Sequence, residues 1–335
     1  MLAVGCALAS SAWAEPGVSP GPGVRYATDA YPGFDTEDDM IKPAKKEPRW
    51  FGFINGPACD TAADQLSHSR DCLAKGSWRA ARRGFDALVR EWPASPEAAK
   101  AQRALADLYL ERYLEYENAF AEYRYLLDFY SLQCDYDAVA QQMYKTAEAL
   151  RDEGKRIMFF RFANTVDVRR TYEALVLRAP GAAFVPQALL TIGSLREDEG
   201  RWEKAVQVYE NLRNLHPDTA ESKIATHREA HARMQIIRET EYNRARNLDT
   251  AEFLKLAIAS GTAGDEHLQD LRDWLGEIEK LLEDEAYRAA KFYDSRTRTR
   301  RSAINAYERF LADYPASEYA PEARRRIFEL QQEAK

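Results

Sequence analysis

The chain has little of what a catalyst or a nucleic-acid reader needs. Its 335 residues contain no G-x-S-x-G, no P-loop and no G-x-G-x-x-G. The nucleophile elbow, the phosphate cradle and the dinucleotide fingerprint are therefore missing. The four cysteines form no C-x-x-C, so the common zinc and dithiol spacings are absent. No stretch approaches the ~20 apolar residues of a membrane span. Positive charge is in deficit: the formal net charge of -7 argues against general nucleic-acid binding. Strand-type alternation does not stand out either, so almost no sheet is expected. What remains is 45% hydrophobic and 30% charged, enough for a sizeable core in one extended array or two halves.

What is present is a recurring pattern. An aromatic residue on a helical stretch is followed eight residues later by a helix-ending proline, as Phe85…Pro93, Tyr172…Pro180, Tyr209…Pro217 and Tyr307…Pro315. A weaker copy starts at Tyr123 and has Ser131 in the proline's place. The fullest copy runs from Leu189 to Ala225. There Gly193 lets two helices approach, and Gly200 supplies the left-handed stop of the first. Ala205, Tyr209 and Leu212 carry the second helix's apolar stripe at i, i+4, i+7. Pro217 cannot continue it. Gly76, Ala81, Phe85 and Pro93 fit the same grid, as do Ala303, Tyr307 and Pro315, and Ala119 with Tyr123.

This spacing resembles the tetratricopeptide repeat, a helix–turn–helix unit of about 34 residues. The fold expected is all-α, an α-solenoid of about five repeats in which Phe85, Tyr123, Tyr172, Tyr209 and Tyr307 are core knobs. Each repeat buries its stripe only against its neighbours, and such stacks present extended binding surfaces rather than catalytic pockets. An enzyme is not expected, nor a cofactor.

The N-terminus reads as an address. Residues 1–14 are apolar and small and end in Ala12-Trp13-Ala14, an A-x-A site typical of a secretory signal peptide. A positively charged start is missing. Leu2-Ala3-Val4-Gly5-Cys6 resembles a lipobox, but the apolar run continues past Cys6 to the A-x-A site, which favours cleavage after Ala14 over lipidation at Cys6. Residues 15–48 hold six of the 14 prolines and four glycines, a composition expected to form a flexible tether. Trp50-Phe51-Gly52-Phe53-Ile54 follows Lys42, Lys45, Lys46 and Arg49. It reads first as a cap on repeat one and second as a docking segment for a membrane surface or partner.

The expected divisions are an N-terminal repeat half over 49–240, then a hinge and C-terminal half over 241–335. Residues 136–180 read as a pair with a longer link through Gly154. The 98-residue interval from Tyr209 to Tyr307 is expected to hide two divergent pairs, with the last pair at 284–332.

Few residues suggest chemistry. Cys59 and Cys72 either staple the cap to repeat one in an oxidising compartment or remain buried thiols. His227 and His231 stand at i, i+4, but no third ligand is evident and no metal site is expected. Arg296, Arg298, Arg300 and Arg301 crowd the last repeat's turn, with Arg324, Arg325 and Arg326 after them. They read as a solvated face or as a dock for an acidic partner. Tyr109, Tyr113 and Tyr116 lie in a tyrosine-rich second repeat, where each ring offers rigid contact area with a polar tip.

Residues 289–327 combine a small-residue pair, Phe-Tyr, a basic turn, Ala-Ile before an aromatic, Tyr-Pro-Ala-Ser and Ala-Pro-Glu-Ala. Together with Gly-Ser-Trp-Arg-Ala-Ala…Glu-Trp-Pro-Ala-Ser-Pro-Glu-Ala over 76–98, they resemble the BamD family. That resemblance implies a periplasmic repeat protein at the outer membrane, in the machine that folds β-barrels. Its N-terminal repeats would hold unfolded barrel substrates, placing Tyr109, Tyr113 and Tyr116 against extended peptide. Its C-terminal repeats would hold the barrel-forming partner through the arginine turn. The proline-rich tether and longer middle depart from the family. The alternative is a periplasmic adaptor that coordinates cell-envelope or cell-wall enzymes.

Overall fold

A computed structural model of the protein describes residues 31–34, 56–156, 161–240, 242–296 and 300–332. Among them are thirteen α-helices and no strand. None of these helices is long and apolar enough to cross a membrane. The expected signal peptide with Cys6, most of the 15–48 tether, the Trp50–Ile54 cluster and Arg298 lie outside the described residues.

The chain divides into two compact units between His216 and Pro217. The first contains eight helices that pack in sequence: α1 Ala62–Ala74, α2 Trp78–Glu91, α3 Pro96–Leu108, α4 Tyr116–Tyr130, α5 Tyr136–Arg156, α6 Arg161–Arg178, α7 Val185–Asp198 and α8 Trp202–Leu215. Local chemistry sets their ends. Thr61 caps α1 by accepting from the Asp64 N–H at 3.2 Å. Past α1 and α7 the chain turns through Gly76 and Gly200 at φ +74° and +69°. Behind each glycine the next N–H reaches back to the helix, Ser77 to the Cys72 carbonyl at 2.8 Å and Arg201 to that of Arg196 at 2.9 Å. This is the glycine stop in which the residue after the left-handed position satisfies an orphan carbonyl. α4 ends at Tyr130 without a proline, in the short 3-10 turn Ser131–Gln133. α5 continues through Gly154 to Arg156, so the chain does not break at that glycine.

Phe85, Tyr123, Tyr172, Tyr209 and Tyr307 are all buried. The tyrosines share a further bond that Phe85 lacks. Each hydroxyl donates to an acid on the helix before it: Tyr123 to Asp107 at 2.5 Å, Tyr172 to Glu148, Tyr209 to Glu197 at 2.6 Å and Tyr307 to Asp294 at 3.2 Å. Four of the five rings are thus tied across their helix pair by a charge-assisted bond.

The second unit contains α9 Ala220–Glu239, α10 Arg244–Ser260, α11 Leu268–Arg296, α12 Arg300–Asp313 and α13 Ala320–Gln332. The interval expected to hold two divergent pairs holds α9, α10 and the whole of the 29-residue α11 instead. No break occurs near 284, because nothing there favours one. Leu271, Ile278 and Leu282 bury against α9 and α10, and farther along the same helix Tyr287 and Ala290 bury against α12 and α13. α10 occupies the segment read as a hinge and stops at Gly261, φ +64°.

Candidate functional site

Three places in the described residues combine exposed or ordered polar groups with aromatic rings. The first lies on the first two repeats. After α3 the backbone loosens into a π-helical turn, Tyr109–Tyr113, and Leu114 follows in the left-handed region at φ 55°. A π-turn and a positive φ at a non-glycine residue are both uncommon and concentrate at functional positions. The turn aims Tyr109 and Tyr113 at α2. There Arg82 donates to the Tyr109 hydroxyl at 3.2 Å and lies 5.8 Å from the Tyr113 ring centroid. Arg79, Arg82, Arg83, Tyr113 and Glu115 line an open depression of about 440 Å³. The three arginines are exposed, and the buried Tyr113 hydroxyl has no hydrogen-bond partner among the described residues. Tyr116 opens α4 half-buried, beyond this depression's lining. The arrangement suits a carboxylate or acidic segment laid across aromatic rings. In the sequence the arginines of α2, at i, i+3 and i+4, look like an ordinary solvated face.

The second place is the start of the last pair. Arg300 and Arg301 are exposed at the first turn of α12, while the side chain of Arg296 lies outside what is described. On α11, Phe292 and Tyr293 are 53% and 45% exposed and meet edge to face. Arg326 is not part of an open basic face, since it pairs with Asp294 at 2.7 Å.

The third place is histidine-rich. The i, i+4 pair does not act as a unit: the His231 ring pairs with the Gln235 amide at 3.0 Å. His227 instead stacks on His267 at 3.9 Å between ring centroids and meets the Asp270 carboxylate at 3.1 Å. Ligand-capable atoms of His227, His267 and Asp270 all lie within 4.8 Å of one another, a set of the kind zinc takes. His267 was invisible to sequence spacing because α9 and α11 bring it in from 40 residues away.

Burial lowers the His227 pKa, with His267 adding to the effect and Asp270 opposing it. Burial and then Arg228 lower His231. As pH falls, the unfolded chain therefore takes up these protons before the folded one. The corresponding stability is present above the ordinary value of 6.5 and lost as pH falls below it. A thermal melt should show the second unit weakening between pH 7.5 and pH 5.5, roughly across the histidine range. His227→Gln with His231→Gln should flatten that slope; an unchanged slope would remove the histidines as its cause.

Of the two readings of Cys59 and Cys72, the disulfide staple is not the one found. Cys59, Cys72 and Cys134 are free thiols. The segment before α1 is held by Gln65 instead, whose side-chain carbonyl accepts from the Ala58 and Cys59 N–H groups at 2.7 and 3.1 Å.

Residues 187–219, spanning α7 and α8, match the tetratricopeptide repeat family model. The crystal structure of a tetratricopeptide repeat protein from Parabacteroides merdae ATCC 43184 is similar at 13% identity, covering 80% of this chain and 98% of that one with a TM-score of 0.31. No curated protein matches the chain. A tetratricopeptide repeat thus stands at α7–α8, and repeats of this class are protein–protein interaction scaffolds.

Proposed function

We propose that this repeat scaffold is an exported, periplasmic protein of the outer membrane that helps assemble β-barrel proteins, with an extended barrel substrate on its first unit and the barrel-forming partner on its second. The observation that carries the reading is the arginine-lined depression beside the Tyr109–Tyr113 turn, which offers cationic and aromatic groups to an unfolded acidic or carboxylate-ended segment. Support for the second half comes from exposed Phe292 and Tyr293 with Arg300 and Arg301, an aromatic and basic surface of the kind partners use. The A-x-A site at 12–14 supports export, and the likeness of 76–98 and 289–327 to BamD-type proteins supports the pathway.

Two measurements test this. Arg82→Glu should weaken binding of a synthetic barrel C-terminal peptide about tenfold, equivalent to roughly 1.4 kcal/mol, without moving the melting temperature. Separately, a β-barrel assembly component should co-purify from detergent-solubilised envelopes and be lost on Arg300→Glu with Arg301→Glu. Recovery of cell-wall enzymes in its place would replace this reading with an envelope adaptor.

A further inference from the structure

Four residues of the expected tether are not loose. Tyr31-Pro32-Gly33-Phe34 form a tight turn closed by the Phe34 N–H donating to the Tyr31 carbonyl at 3.2 Å. Proline at its second position and glycine at φ +92° at its third are the requirements of a type II turn. The rings of Tyr31 and Phe34 stack at 5.1 Å, so the turn's two ends close over each other. Tyr31 is buried, and that burial raises its hydroxyl pKa.

The turn sits on α8, and the contact is specific. The Asn211 amide donates to the Pro32 carbonyl at 2.8 Å. Arg196 donates to the Gly33 carbonyl at 2.8 Å. That guanidinium is 0% exposed and is held in place by Glu173 at 2.9 Å and Glu199 at 3.3 Å. A buried charge directed at one backbone carbonyl is a built feature, because it has no solvent to turn to. Gly33 presses on the helix so closely that a Cβ there would stand 2.8 Å from the Lys204 carbonyl and 3.0 Å from Val208 Cγ2. Lys204, Val208 and Asn211 are one stripe of α8 at i, i+4, i+7.

We propose that this stripe of α8, with Arg196 beside it, is a recognition site for an aromatic-Pro-Gly-aromatic turn, which residues 31–34 occupy in cis and which a partner displaying the same turn must displace. The proposal stands on the repeat at α7–α8 and does not depend on the envelope reading. Because the turn belongs to the same chain as α8, its binding is intramolecular, with an effective concentration on the order of millimolar, so it competes strongly with any weak ligand in trans.

The test uses the full chain and a fluorescein-labelled peptide of residues 30–35. Gly33→Ala removes both the left-handed turn and the close approach, and should release the cis segment. By anisotropy, the Gly33→Ala chain should bind the peptide at least about tenfold more tightly than the wild-type chain. Adding Asn211→Ala, on the half-exposed surface, should reverse that gain, and the same peptide with alanine for glycine should not bind. Equal affinity for the two chains would overturn the proposal, as would binding by neither. A gain that survives Asn211→Ala would place the peptide elsewhere and overturn it too.

Discussion

Replacing Glu173 with alanine should destabilise the first unit by about 3–5 kcal/mol, the range for breaking a buried ion pair from one side. Glu173 is 0% exposed and lies between two guanidiniums that are also buried, Arg169 at 2.8 Å and Arg196 at 2.9 Å. Glu199 completes the group, 2.7 Å from Arg169. Burial alone would push the Arg169 pKa down, but the two carboxylates more than reverse this and hold it raised. Without Glu173, two cations remain with one carboxylate and no access to water. Urea melts of wild type and variant, followed by circular dichroism, measure the loss. Glu173→Gln keeps the shape and part of the hydrogen bonding, so its loss should be smaller. A change below about 1 kcal/mol for Glu173→Ala would mean that the quartet behaves like a surface pair.

The second large effect concerns the closest approach of α7 and α8. A Cβ on Gly193 would lie 2.2 Å from Tyr209 Cε1 and 2.6 Å from Cζ, far inside van der Waals contact with the ring edge. That ring is fully buried and its hydroxyl is tied to Glu197, so it cannot swing aside. Gly193→Ala should therefore cost at least about 1–3 kcal/mol through overpacking. Tyr209→Ala should cost about 3–5 kcal/mol through the cavity it leaves. The two should not add. With Tyr209→Ala in place, the Gly193→Ala methyl enters vacated space, and a coupling of about 0.5–3 kcal/mol should appear in the four-protein cycle. Additive costs would mean that the helices part rather than the ring yielding.

The repeat frame was legible because it depends on residues whose backbone or shape is extreme. Gly76, Gly200 and the prolines mark helix ends, and the aromatic-to-proline interval marks helix length. Where that interval vanishes, between Pro217 and Tyr307, the grouping of helices into pairs is no longer legible, although the stop at Gly261 is. A stripe through Leu271, Ile278, Leu282 and Tyr287 carries no proline and a single mid-helix glycine, Gly276, so nothing in it marks a 29-residue helix. Charges were the least legible. Glu173 and Arg196 look like solvated helix residues until α6 and α7 meet. The tyrosine-to-acid ties run over 12, 13, 16 and 24 residues, so no fixed offset exposes them. The turn at Tyr31 is indistinguishable from tether in the sequence because four residues cannot fold alone. Asn211, which holds the turn at Pro32, lies 179 positions from that proline.

The long α11 has a mechanical consequence. A 29-residue helix is a stiff rod of about 44 Å. One end is embedded with α9 and α10, the other with α12 and α13. The second unit therefore has two hydrophobic cores but a single spine. Melting either core strips packing from one end of the same helix, so the cores should share one cooperative transition instead of fraying in series. A load applied at Phe292 and Tyr293 would reach the end near Asp270 as strain along the rod axis, with no intervening loop to absorb it.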